Sequence, residues 1–140
     1  MKILRARSEA MSRAILLVDH GSVKREANEM LAEVAAMLRG LTDVPIIRHA
    51  HMELAEPTIA QGIAACVQAG ATDVTVHPYF LTPGRHVSTD IPRMVAEAAK
   101  HHSGVRVRVT APLGLHEKIC QVVLERVREI EGTGAPTASR

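Results

Sequence analysis

Ala14-Ile15-Leu16-Leu17-Val18-Asp19-His20-Gly21-Ser22 is the stretch whose reading decides the fold. Five consecutive apolar residues without alternation suit a strand covered on both faces, as in a parallel sheet. The polar turn that ends the run then feeds a helix. Residues 25–39 carry Ala27, Met30, Leu31, Val34, Met37 and Leu38 at helical spacing, closed by Gly40.

The same alternation repeats outward from this unit. Residues 44–51 read as a second strand, with Pro45 at its beginning. Pro57 is expected to open the next helix as a first-turn proline, with Ile59, Ile63, Cys66 and Val67 on one side and Gly70 at the end. Residues 74–77 form a third strand, followed by the turn-rich Thr82-Pro83-Gly84-Arg85-His86. A helix over 90–101 is expected to use Asp90 as N-cap and Pro92 in its first turn. Val105-Arg106-Val107-Arg108-Val109 alternates, which places it at a sheet edge. A last helix covers 116–131, its apolar face made by Ile119, Val122, Val123 and Ile130. Four strand–helix alternations give the α/β class: a four-stranded parallel sheet with helices on both faces. The boundaries that follow are a lead-in at 1–13, one domain at 14–131 and a disordered tail at 132–140.

Composition limits what the domain can bind. Its 140 residues are 46% hydrophobic and 23% charged, with one Phe, one Tyr and no Trp. The core is therefore aliphatic, and a flat ligand cannot rest on an aromatic sandwich. A net charge of +2 without a basic, aromatic-interleaved stripe argues against nucleic acid. No apolar run approaches the roughly 20 residues that span a bilayer. Cys66 and Cys120 read as small buried hydrophobes, and without a Cys-x-x-Cys there is no support for a zinc or iron–sulfur motif. The first ten residues are too short and charged for a secretory signal, Met11 is a plausible natural start, and the expected location is cytoplasmic.

Ligands of open parallel sheets bind beyond the carboxyl ends of the strands. That rim collects Asp19-His20-Gly21-Ser22, then His49, His51 and Glu53, then His77 with Arg85-His86, then His116. Imidazoles with a carboxylate suit Fe(II), Co(II), Ni(II) or Zn(II). Without a local His-x-x-x-His, such a site is assembled from separate loops. Two readings of Asp19 stand: it orients His20, or it only ends its strand. His51 either supports Glu53 from behind or is a hydrogen-bonded strand-end histidine. His101 and His102 lie apart, at a helix end.

Four segments together resemble a known family, the small sirohydrochlorin chelatases of the class II chelatase superfamily. They are VDHGS at 18–22, HMELAEPTI at 51–59, ACVQAGATDVTVHPYFLTPGRHVSTDIP at 65–92 and APLGLH at 111–116. The first two look most similar to the plant-type ferrochelatase, though the cysteine-rich iron–sulfur region that such relatives can carry has no counterpart here. The resemblance implies a half-chelatase lobe completed by homodimerisation. It implies His20 and His86 as metal ligands with Glu53 as third ligand or carboxylate partner, and these three as the catalytic set. No cofactor is expected to stay bound. The divalent metal is substrate, Fe(II) before Co(II) or Ni(II), and sirohydrochlorin is the partner.

Further roles follow from that reading. Ser22, Arg85, Ser88 and Thr89, with Lys24 and Arg25 less specifically, are candidates for gripping an acidic ring. The amides at the start of the second helix are a further candidate for receiving a carboxylate. Leu81, Val87 and Ile91 are candidates for its apolar slot. Asp19, His51 and His116 are supporting groups, His116 as a proton shuttle. Competing readings are a cobaltochelatase or nickel chelatase, a non-catalytic metal or tetrapyrrole carrier, and a phosphotransfer enzyme with His20 as nucleophile. The last normally needs an arginine cluster, and no arginine immediately precedes His20.

Overall fold

The apolar run at 14–18 lies at the centre of the molecule. In the computed structural model, which describes residues 12–134, it forms β1 (Arg13–Asp19), bonded on one side to β2 (Ile46–His51) and on the other to β3 (Asp73–Pro78). β4 (Arg106–Val109) pairs with β3, so the order is β2-β1-β3-β4 and every pairing is parallel. The alternating strand takes the edge expected of it.

The helices are α1 (Arg25–Arg39), α2 (Ile59–Gln68), α3 (Ile91–Ala99) and α4 (Glu117–Ile130). On one face α2 and α3 close over Leu16, Val18, Ala50, Val74 and Val76, burying Ile59, Ile63, Cys66, Ile91 and Val95. On the other face α1 buries Leu31 and Ala35 against Leu17 and Ile47. Each large aliphatic side chain so enclosed stabilises the fold by about 1.5–3 kcal/mol, which an aromatic-poor sequence needs from many positions. Burial also pushes the Cys66 thiol up to about 11, so it stays a neutral hydrophobe.

Four details differ from the sequence reading. Pro57 precedes α2 rather than opening it: Thr58 is the N-cap, and its hydroxyl and the Gln61 side chain take each other's backbone amides in a capping box. Asp90 is not an N-cap. It has helical φ and ψ and makes no capping bond, because a π-turn over His86–Asp90 extends the helix backwards. Cys120 is exposed rather than buried. No residue of α4 is buried, and Val122, Val123, Leu124, Val127 and Ile130 lie open on its surface. Arg13 joins β1, and Glu131 to Gly134 form a turn. The rest of the expected lead-in and tail lies outside the described residues.

Gly62 sets how closely α2 approaches the sheet. A Cβ there would stand 2.9 Å from both Ala50 Cβ and Leu16 Cδ1. In an unobstructed helix Gly→Ala gains up to about 1 kcal/mol. Here the crowding reverses the sign, and Gly62→Ala is expected to cost about 1–3 kcal/mol, as overpacked cores do. Urea unfolding checks this, and a stabilised variant would contradict it.

Candidate functional site

Two hydrogen bonds carry the β1–β2 pairing past the strand ends. Met52 N–H donates to Asp19 O (2.8 Å) and Glu53 N–H to His20 O (3.0 Å). Gly21 makes that approach possible. Its φ is +93°, and a Cβ would lie 1.8 Å from the Glu53 carbonyl oxygen, so no other residue fits. The result is a side-chain pair at the rim: His20 Nε2 lies 2.8 Å from Glu53 Oε1.

His20 Nδ1–H donates to the Gly21 carbonyl at 3.1 Å, so the imidazole's ordinary proton is already placed. Nε2 is then the nitrogen that faces the Glu53 carboxylate, at 2.8 Å. With side chains 41% and 52% exposed, such a pair is worth about 0–1 kcal/mol. It is cheaply opened.

His86 arrives from the loop after β3, on the first residue of the π-turn. Its ring meets that of His20 edge-on with centroids 5.2 Å apart, and its Nδ1 lies 3.1 Å from Asp90 Oδ2. The rim thus brings His20, Glu53 and His86 together. Among the described residues, no three His, Cys, Asp or Glu side chains are already grouped to hold an ion. Glu53 faces His20 rather than a shared centre between the two rings.

Among the supporting residues, His51 is the hydrogen-bonded strand-end histidine that one of its two readings expected. Asp19 and His51 serve one another: His51, 1% exposed, donates Nδ1–H to Asp19 Oδ1 at 2.6 Å. Neither contact passes directly to His20 or Glu53. His51 also lies under the Gly21 turn, its Cβ 3.1 Å from where a Gly21 Cβ would be. His116 is the N-cap of α4, its Nδ1 accepting the Lys118 amide, where a shuttle was the expectation. His77 leaves the rim pair for Thr110 Oγ1 at 2.8 Å.

Among the ring-gripping candidates, Arg85 and Thr89 are exposed and Ser88 Oγ–H is committed to Gly84 O. Ser22 Oγ accepts the Lys24 amide, while its backbone is clamped by Asn28. Arg25 pairs with Glu29 on the α1 surface. At the start of α2 the capping box takes up the Thr58 and Gln61 amides. Of the expected apolar slot, Leu81 is exposed, whereas Val87 is buried and Ile91 belongs to the core. A groove of about 440 Å³ beside Ile59, Met94 and His101 contains none of the rim histidines.

The fold just described is shared with known proteins. The CbiX family profile matches residues 14–130. The chain belongs to the CbiX family. It is 51% identical over 114 residues to the chloroplastic sirohydrochlorin ferrochelatase of Arabidopsis thaliana, covering 81% of this chain and 51% of that relative. It is 31% identical to the sirohydrochlorin cobaltochelatase of Methanococcus maripaludis, covering 81% of this chain and 96% of that one. The sirohydrochlorin chelatase SirB of Bacillus subtilis subspecies spizizenii, solved in complex with cobalt, superposes with a TM-score of 0.80. Its sequence identity is 34%, over 86% of this chain and 51% of SirB. The CbiX chain thus spans about half the length of the plant ferrochelatase and of SirB. No helix among the described residues is long and apolar enough to cross a membrane.

Burial lowers the proton affinity of two histidines in this CbiX domain below the ordinary 6.5. For His77 desolvation dominates; for His49 desolvation is joined by the nearby His51. Below pH 6.5 the unfolded chain therefore takes up protons that the folded one refuses, and stability rises with pH through that window. The urea midpoint is expected to fall as pH drops from 7 through 6.5 and lower, and His77→Asn is expected to flatten the slope. An equal slope in the variant would remove His77 from this account.

Proposed function

We propose that this chain inserts a divalent metal into sirohydrochlorin, with Fe(II) as the preferred ion and siroheme as the product. The meeting of His20, His86 and Glu53 at the carboxyl rim of the sheet carries the reading. The family and the plant ferrochelatase, which shares half its aligned residues with this chain, support the substrate and the iron. The cobaltochelatase of comparable length supports Co(II) as the second candidate.

The reaction exchanges two ring N–H protons for one M²⁺, with no change of oxidation state. His20 and His86 present imidazole nitrogens to the incoming ion, and Glu53 adds one negative charge. Approach of the ion parts His20 from Glu53, and the weak, exposed pair opens at little cost. As the ion passes to the ring, the vacated bases receive the protons that the ring nitrogens release. Imidazoles and a single carboxylate hold the ion less firmly than thiolates, which suits transfer over storage. Arg85 and Thr89 are the exposed groups beside His86 that meet the ring's carboxylates. The metal is consumed as substrate, so no resident cofactor is required. A cytoplasmic location rests on composition alone, since the plant relative is chloroplastic.

A second copy of the chain completes the site in this reading. The chain matches about half of the plant ferrochelatase and of SirB, and the α4 surface offers Val122, Val123, Leu124 and Val127 to a partner. Leu124→Glu is expected to convert a dimer to monomer in sedimentation velocity while leaving the chain folded by circular dichroism, because Leu124 is 51% exposed in the single chain. A monomeric wild type at micromolar concentration would remove the dimer.

An anaerobic assay with sirohydrochlorin and Fe(II), Co(II) or Ni(II), followed through the ring's visible spectrum, tests the activity. Wild type is expected to outpace buffer with Fe(II) fastest, and His86→Ala to lose at least ~100-fold, about 2.7 kcal/mol of barrier. Ring binding without any spectral change beyond the buffer rate would instead make the protein a carrier.

A further inference from the structure

Sequence reasoning assigned Asp90 to a helix cap, but its carboxylate faces His86. The two residues are the ends of the π-turn, which the Ile91 amide closes by donating to His86 O. The turn lets α3 continue into the core through Ile91, Val95 and Ala98 while holding His86 exposed above it. Single π-turns of this kind are often found at functional sites. Asp90 itself is only 21% exposed, and its two oxygens are divided: Oδ2 lies 3.1 Å from His86 Nδ1, and Oδ1 lies 3.5 Å from Arg93 Nη2.

The chemistry of that contact has one sense. A carboxylate only accepts, so Nδ1 carries a hydrogen, and in the neutral ring Nε2 is then the lone-pair nitrogen. His20 is set the same way, with Nδ1–H on the Gly21 carbonyl. The acceptors differ, however: a neutral carbonyl behind His20 and a charged carboxylate behind His86. Carboxylate backing raises the donor strength of a metal-bound imidazole and fixes its tautomer.

We propose that Asp90 is a positioning residue that sets His86 in the Nε2-donor tautomer and makes it the firmer of the two histidine ligands. This rests on the chelatase reading for the metal, but not for the tautomer. His20, backed by a carbonyl and pre-engaged with Glu53, is then the ligand that lets go first, and His86 keeps the ion until the ring nitrogens have it.

Two measurements on the full chain test this separately. Titration of the protein with Co(II) alone, read by its visible absorption, is expected to show 10–100-fold weaker binding for Asp90→Ala. Asp90→Asn, which keeps an acceptor without the charge, is expected to fall between. Nitrogen-15 chemical shifts of His86 in the metal-free protein are expected to report Nδ1–H in wild type and a shift toward Nε2–H in Asp90→Ala. Arg93→Ala, which disturbs the same turn but not the His86 contact, is expected to leave both readouts near wild type. An unchanged His86 tautomer in a folded Asp90→Ala protein overturns the proposal, as does an Arg93→Ala effect equal to that of Asp90→Ala. Absent Co(II) binding in wild type, with the tautomer shift intact, removes the metal-site reading and leaves the positioning role standing.

Discussion

Two backbone hydrogen bonds beyond the ends of β1 and β2 hold the rim in register, and a glycine without room for one more carbon permits them. Met52 and Glu53 donate to Asp19 and His20, so the loop after β2 is laid along the turn after β1. Side-chain placement follows from this backbone match. His20 and Glu53 meet because their main chains are bonded, and the buried Asp19–His51 pair fastens the same two strands from beneath. A shift of register by one residue would turn Glu53 to the opposite face and separate them. Removing the Asp19 carboxylate leaves the buried His51 Nδ1–H without its acceptor, at a cost of about 1–3 kcal/mol. The rim is thus more rigid beneath than at its exposed surface, where the His20–Glu53 contact opens readily.

His86 is held by other means. It stands on a helical extension rather than on a strand end, and its direction comes from the π-turn that joins it to α3. One side of the site is therefore fixed by sheet pairing and the other by helix geometry. A transfer reaction benefits from that division, because the two ligands need not release together.

Much of this was legible in the chain and some of it was not, for physical reasons. The unbroken apolar run at 14–18 and the alternation at 105–109 report whether one or two faces of a strand are covered, so the sheet centre and its edge follow from pattern. The convergence of His20, Glu53 and His86 follows once strand ends are placed on one rim. The Asp19–His51 pair was hidden because its members are 32 residues apart, and side-chain pairing across strands leaves no mark in local spacing. Asp90 looked like a cap because an acidic residue before Ile91-Pro92 usually is one. The signal that could have corrected it was the four-residue interval from His86, which places the two on one helical side. The amphipathic pattern of α4 was legible too, but a pattern announces an apolar face without naming what covers it.

The edge strand β4 has a consequence for how copies of this chain can meet. It is four residues long, and its Arg106 and Arg108 both reach Asp73, holding that carboxyl below the usual carboxylate range. Short strands with outward cations resist the addition of a further strand. Pairing of this edge with the β2 edge of another copy would run head to tail without closing, whereas a helix face that meets its own copy closes on itself. The charges on β4 and the bare apolar side of α4 together bias the molecule toward a finite assembly and away from a fibre.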